Sequence, residues 1–515
     1  MFKETDKNPQ LDIFSSVTES LTGDSLKRYT NSGAWHNQFR AQVLERIDEK
    51  PYQALYSDGM GAPNASVSLM LGMMILKEAY GWSDEIMYEN CRFNLLIRSA
   101  LGLFNLNDPL PAPSTYYLLR KRMVEHTRTK GIDLMAQTFE AITKGQMDAF
   151  NVKAGNLRMD SKLISSNIAF YSRYEIVHRT LVSFLKTTDP ATQSKLTGEQ
   201  RELIATLLPE DAQKTVYHNA KDSIKNRMVQ IGLLIVRLLR IYRKHYYHTP
   251  AYKLLERVFK DQYEMDGPYH VLVLDNEKIS PDSVQSPDDP DASYRKKGKQ
   301  QVKGYSVNVT ETISEDKRPD LITQVQVEKA TVADNDFMVE AIKKTAVMTT
   351  QQVERVYADG AYQSPDNDIK GIDMVYTGIQ GKLSRYEYKK LKKNLLQVVD
   401  QQTGACFEAR PTKPRKGLKS NGWTFINADG KRCTVTHEAL RTSLKRQELA
   451  TRTTEELNKR NNVESTIYCL GQRLNNAKSK YRGLLKQRLW AWSRCLWINL
   501  VRIVHFVNEP APSVG

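Results

Sequence analysis

Gly304-Tyr-Ser-Val-Asn-Val-Thr-Glu-Thr312 alternates along its length, and Leu321-Ile-Thr-Gln-Val-Gln-Val-Glu328 does so again after the turn-rich Glu315-Asp-Lys-Arg-Pro-Asp320. Period-two alternation on both sides of a turn reads as a β-hairpin. The flanking segments decide the class. Upstream, Lys153 to Leu163 is strand-like, and Tyr269-His-Val-Leu-Val-Leu-Asp275 is a further short strand. Downstream come a helix over Asp334 to Thr345, a strand over Val353 to Tyr357 and a short strand at Met374-Val-Tyr-Thr377. The order strand, hairpin, helix, strand, strand, helix predicts an α/β fold with a mixed sheet of the RNase H kind.

Working outward, residues 1–150 read as a helical N-terminal domain and 151–510 as the sheet domain. Asp58 to Pro63 is a turn cluster. Val67, Met70, Leu71, Met74 and Ile75 have helical spacing, and Ser83 is a candidate N-cap for the next helix. A third helix is predicted to start in Pro111-Ala-Pro-Ser114, capped by Ser114, with Arg120 and Arg122 at its basic end. Tyr174 to about Glu264 is helical again, so 174–265 reads as a helical insertion after the first strand. Its most apolar run, Ile231 to Tyr242, is too short and too charged to span a bilayer. Ser280 to Lys299 reads as a linker, and 376–450 as a small basic, β-containing insertion before the last helix of the sheet domain. Ala511 to Gly515 reads as a loose tail.

The chain has 515 residues and a net charge of +16. With 40% hydrophobic residues it can bury a sizeable core. The charge is clustered: Tyr376 to Gln447 holds 16 Lys/Arg against 5 Asp/Glu, and Leu470 to Asn508 holds eight and no acid. Such clusters suit phosphate contacts. The five cysteines are scattered, with no C-x-x-C, which argues against a disulfide scaffold or a zinc knuckle. The polar start, Met1-Phe-Lys-Glu, predicts no signal peptide.

Three carboxylates stand out. Asp160 in Asn156-Leu-Arg-Met-Asp160 and Asp359 in Val356-Tyr-Ala-Asp359-Gly-Ala-Tyr362 sit where short apolar runs end, which reads as strand-end placement. The Gly after Asp359 lets the backbone turn sharply. Glu464 lies beside the helical stripe Val463, Ile467, Leu470, Leu474, one turn after Arg460. Singly, each has an ordinary explanation as a turn residue or an i, i+4 ion pair. Together, two strands and a helix can gather three oxygen ligands for Mg²⁺. Asp275 also ends an apolar run and competes for the role of first acid.

The chain resembles the DDE transposases of bacterial insertion sequences. The resemblance is carried by Gly61-Ala-Pro, Gly81-Trp-Ser-Asp, Asn94-Leu-Leu-Ile-Arg98 and Pro113-Ser-Thr-Tyr-Tyr-Leu-Leu-Arg120 in the helical region. It continues through Asp160-Ser-Lys-Leu-Ile-Ser, Asp289-Pro-Asp-Ala, Lys303-Gly-Tyr-Ser-Val-Asn-Val, Ala358-Asp359-Gly-Ala-Tyr and Arg460-Asn-Asn-Val-Glu464. It implies that Asp160, Asp359 and Glu464 are catalytic and hold two Mg²⁺ or Mn²⁺ ions. The implied activity is binding of terminal inverted repeats, hydrolysis of phosphodiesters at the element ends and joining of the 3′-OH to target DNA. Double-stranded DNA is the implied partner, bound by a homo-oligomer in the cytoplasm at the nucleoid. No membrane is involved. Arg460, Arg473, Lys389, Lys390, Lys413, Arg415, Lys416, Arg120 and Arg122 are the expected DNA contacts. Two departures stand out: relatives often have Tyr three residues before the Arg and Lys seven after the Glu, where this chain has Leu457 and Gly471. The alternatives are a catalytically inactive, transposase-derived DNA-binding protein and an RNase H-like nuclease without strand transfer.

Overall fold

The alternating hairpin forms one side of a mixed sheet, with its second strand at the sheet edge. A computed structural model describes residues 2–5, 16–57, 63–189, 194–267, 270–314, 316–381, 383–392, 394–412 and 422–509. The strands in chain order are β1 (Asn156–Ser165), β2 (Tyr263–Met265), β3 (Val271–Val273), β4 (Ser293–Lys297), β5 (Gln300–Thr312), β6 (Ile322–Lys329), β7 (Arg355–Ala358) and β8 (Asp373–Tyr376). β5 lies antiparallel between β1 and β6. β7 runs parallel to β1, and β8 parallel to β7. The resulting order, β6-β5-β1-β7-β8, with β4 paired to the start of β5, makes an α/β, RNase H-like sheet. β4 falls within the segment expected to be a linker. Its basic residues, Arg295 to Lys297, are strand rather than loop because they pair with Gln300 to Val302. β2 and β3 form a separate two-stranded sheet.

Ahead of the sheet lie α1 (Val17–Ser20), α2 (Gly23–Thr30), α3 (Trp35–Gln42), α4 (Val67–Tyr80), α5 (Asp84–Phe93), α6 (Leu95–Ala100), α7 (Pro113–Lys130) and α8 (Leu134–Phe150). Ser66 and Ser83 cap α4 and α5, accepting from the Leu69 and Ile86 amides at 3.0 and 3.2 Å. The expected Ser114 cap is corrected: α7 begins at Pro113, a favourable first position because its missing N–H has no partner there anyway. The insertion after β1 is helical as expected: α9 (Arg173–Leu185), α10 (Gly198–Leu207), α11 (Ala212–His218), α12 (Lys221–Tyr246) and α13 (Pro250–Gln262), around a core of its own. After β6 comes α14 (Met338–Thr349). The basic insertion holds a five-stranded antiparallel sheet of β9 (Tyr386–Lys392), β10 (Leu395–Asp400), β11 (Cys406–Pro411), β12 (Trp423–Ile426) and β13 (Arg432–Val435). Then follow α15 (His437–Thr451), α16 (Thr454–Asn458), α17 (Val463–Gly471) and α18 (Leu484–Asn508). Among the described residues no helix is long and apolar enough to cross a membrane.

Both faces of the main sheet are covered. Leu157 and Met159 of β1 and Val356 and Ala358 of β7 pack with Met338, Ala341 and Ile342 of α14. Tyr305, Val307 and Val309 of β5 and Val325 and Val327 of β6 face the other way. They join Val463 and Leu470 of α17, Trp490 to Leu500 of α18 and the buried residues of α3 to α8 in one core. The N-terminal helices therefore do not bury their apolar faces alone.

Within that second face lies a buried charge cluster. Arg158 and Glu311 are directly opposite in the β1–β5 ladder. Glu311 is fully buried and accepts from Arg158 Nε at 2.5 Å, Thr466 Oγ1 at 2.6 Å and Arg502 Nη1 at 2.8 Å. Burial raises the Glu311 carboxyl, but Arg502 and Arg158 outweigh it and hold its pKa below the ordinary value. Arg158 also binds Asp320 at 2.6 Å and the Lys459 carbonyl at 3.3 Å. The cluster thus ties β1 and β5 to α17 and α18. Glu311→Gln should leave two guanidiniums short of counter-charge and cost about 3–5 kcal/mol in urea unfolding at pH 7. Because the folded pKa is depressed, that contribution is present above the unfolded value of about 4.3 and is lost as pH falls through the folded one. The gap between variant and wild type should therefore narrow on acidification below about pH 4.

Candidate active site

Residues i and i+2 of a strand project from the same face, so Arg158 and Asp160 both point towards the segment leading into α17. Arg158 takes the Lys459 carbonyl, and Asp160 takes the next side chain: Arg460 Nη2 lies 2.7 Å from Asp160 Oδ2. The other end of Arg460, Nη1, lies 2.8 Å from Glu464 Oε1. Asp160 is in the middle of β1, not at a strand end as its apolar run implied. The strand continues to Ser165 because Ser161 to Ser165 pair with Asn308 to Gly304.

Asp359 does stand at a strand end. β7 stops at Ala358, and the Asp359 carboxylate accepts the Ala361 amide at 2.8 Å, capping a short 3₁₀ turn over Gly360–Tyr362. Gly360 is not in the left-handed region. Its requirement is space: a Cβ there would sit 2.5 Å from the Gly378 carbonyl oxygen. Because β7 is parallel to β1, Asp359 emerges beside Asp160. Glu464 lies in the first turn of α17, with its side chain 65% exposed against 15% for Asp160.

All three acids line a single cleft together with Ser161, Lys162, Arg295, Lys297, Asp334 and Arg460. Burial raises the Asp160 pKa above the ordinary carboxyl value, opposed by Arg460 and the Ser161 amide and reinforced by the charge of Asp359. Tyr362, beneath the acids, donates to Asn308 at 2.6 Å. Burial and the nearby carboxylates push its phenol well up, so it stays protonated. Asp275 follows β3 in the two-stranded sheet and is not among the residues that line the cleft.

The carboxylates have the hard-oxygen chemistry that Mg²⁺ or Mn²⁺ takes, and Asp160 and Asp359 lie close enough to couple electrostatically. Among the described residues, however, no three His, Cys, Asp or Glu side chains are arranged around one point to hold a metal ion. Arg460 stands between Asp160 and Glu464 and pairs with both.

Lys162, Arg295, Lys297 and Asp334 are cleft residues that the sequence does not single out. Asp334 starts a predicted helix and accepts from Ser161 Oγ at 2.9 Å, with Arg295 3.5 Å away. The run Arg295-Lys-Lys-Gly-Lys299 is visible in the sequence but reads as linker. Lys162 is within the motif that carries Asp160.

The remaining expected DNA contacts scatter. Lys389 and Lys390 are exposed on β9. Arg473 is exposed in the left-handed conformation, packed on Gly81. Arg122 lies over the Tyr56 ring. Arg120 is engaged within the protein, 3.7 Å from Asp84 and over the rings of Tyr116 and Tyr481. Lys413, Arg415 and Lys416 lie outside the described residues.

The RNase H-like sheet thus brings carboxylates from β1, the end of β7 and α17 into one cleft. The family described as Transposase domain (DUF772) matches residues 31–122, and the one described as Transposase DDE domain matches residues 267–500. Together the two matches support a DDE transposase of insertion-sequence type. That family acts in transposition and DNA recombination and generally uses divalent metal ions. No curated protein and no solved structure matches the chain. The DDE match starts after the helical insertion, so Asp160 lies outside both matched spans, and its place in the site rests on its position in the sheet.

Asp160→Asn removes a carboxylate whose charged form burial disfavours, while Arg460 keeps Glu464. Thermal denaturation at pH 7 should show a melting midpoint no lower than wild type, with cleavage of DNA abolished. A large drop in midpoint would make Asp160 a structural residue.

Proposed function

We propose that the cleft hydrolyses phosphodiesters at the ends of an insertion sequence and joins the freed 3′-OH to target DNA. The observation that carries this reading is the meeting of Asp160, Asp359 and Glu464 from β1, β7 and α17 in one cleft. Asp160, Asp359 and Glu464 are the residues that would hold two divalent ions. The chemistry such ions would supply there is activation of water and stabilisation of the leaving oxygen.

The chain's own residues supply position and charge. Asp359, which lines the cleft, is fixed by its cap to the Ala361 amide. Arg460 shields two carboxylates from each other until an anionic backbone and its cations arrive. Its guanidinium can then turn from Glu464 to a phosphate oxygen, to which its fork geometry is suited. Neutral Tyr362 supports the floor without adding charge. The exposed lysines of β9, Lys389 and Lys390, extend the basic surface along which flanking or target duplex would lie, with Lys413, Arg415 and Lys416 adding to the same insertion. Arg473 and Arg122 would add phosphate contacts away from the cleft. The N-terminal helices would read the terminal repeats. The unit 1–150 would serve this role while sharing its core with the catalytic sheet.

The test is incubation of the full chain with labelled DNA carrying the element's own ends and a target plasmid, with Mg²⁺ or with EDTA. Strand cleavage at the ends and joined product, both dependent on Mg²⁺, are expected. Cleavage without joining would make the protein a nuclease, and binding without cleavage an inactive DNA-binding descendant.

Two variants follow. Asp359→Asn should abolish cleavage and leave DNA binding intact or slightly tighter, since a negative charge leaves the path of a polyanion. Lys389→Ala with Lys390→Ala should weaken binding to any duplex alike and flatten the slope of log affinity against log salt by about 0.9 for each phosphate no longer neutralised.

A further inference from the structure

Lys162 stands two residues beyond Asp160 on β1 and projects from the same face. It lines the cleft and is half-buried. Among the described residues its ammonium takes neither a hydrogen bond nor an ion pair, whereas Arg295 and Arg460 in the same cleft are both engaged.

Its stem is seated in a particular place. Lys162 crosses Gly471 at the end of α17: a Cβ at position 471 would lie 2.6 Å from Lys162 Cε and 3.0 Å from Nζ. Gly471 is not in the left-handed region, so its backbone would accept any residue. What the missing side chain provides is room for the lysine. The space at the end of α17 is thus filled by a cation from the strand of the first acid.

A half-buried ammonium loses hydration and, without an internal partner, recovers little of it. Its fixed stem and free head are therefore set for an anion that enters the cleft. The neighbouring carboxylate of Asp160 attracts it, but one of its oxygens is already taken by Arg460 at 2.7 Å and the other by the Ser161 amide at 2.8 Å.

We propose that Lys162 grips a backbone phosphate of the DNA strand held in the cleft, its stem seated in the room that Gly471 provides. This rests on the DNA-processing reading of the cleft. It assigns a phosphate clamp to the strand that carries the first acid, held in place by the helix that carries the third.

The test is equilibrium binding of the full chain to a labelled duplex carrying the element's ends, in EDTA, over about 50–200 mM salt. Lys162→Met keeps the stem over Gly471 and removes the charge. Its salt slope should be shallower by about 0.9, with an unchanged thermal midpoint. Lys162→Arg should keep the wild-type slope. Lys162→Ala combined with Gly471→Lys should restore the slope that Lys162→Ala alone loses, because the new side chain enters the same space from the other side. An unchanged slope in Lys162→Met overturns the proposal, as does a shallower slope accompanied by a lower midpoint, or failure of the relocated lysine to restore it. Because turnover is not read, absence of cleavage by wild-type protein in Mg²⁺ would refute the catalytic reading and leave the binding result for Lys162 unaffected. Absence of any duplex binding would overturn both.

Discussion

Glu311 is a carboxylate with no access to water, held by Arg158 from the neighbouring strand and by Arg502 and Thr466 from two helices. Nothing local requires α17 to lie against β1, because the two are some three hundred residues apart. The buried cluster supplies the requirement: any displacement of α17 leaves charged groups dry and unpaired, which costs more than the pair gains in place. A second bond from Arg158, to the Lys459 carbonyl, fixes the turn just before Arg460. The relative placement of Asp160 and Glu464 is therefore inherited from a structural ion cluster one residue pair away along the strand.

The cleft itself is balanced between charges. Asp160, Asp359, Asp334 and Glu464 are set against Lys162, Arg295, Lys297 and Arg460. Without cations, a group of carboxylates this close would repel itself. Arg460 relieves this by pairing two of them at once.

Large insertions interrupt this sheet without disturbing it. The helices between β1 and β4 have their own apolar core, and the five-stranded sheet between β8 and α15 has another. Each insertion leaves and re-enters at a sheet edge or strand end, so its burial is self-contained and the ladder from β6 to β8 stays continuous. β1 lies ahead of the family match, which begins at residue 267. The N-terminal helices differ, because they close the core over α18 and stability of the two regions is shared.

By itself the sequence determined the periodic elements and, through them, the fold class. The alternation of Gly304 to Thr312, the exit of β7 through Asp359-Gly360 and the stripe beside Glu464 are local patterns of period two or 3.6, and local geometry alone sets them. The tertiary structure decided what depends on partners far away in the chain. Asp160 is in mid-strand because β5 pairs with the five residues after it. Arg295 to Lys297 form a strand because β5 offers an edge. Arg120 turns inward because Asp84 and Tyr481 surround it. Arg460 reaches Asp160 as well as its helical neighbour, and Lys162 lies over Gly471, because the Glu311 cluster sets α17 against β1. No window of sequence contains both sides of such contacts, and so the acids could be named in advance while the cations that answer them could not.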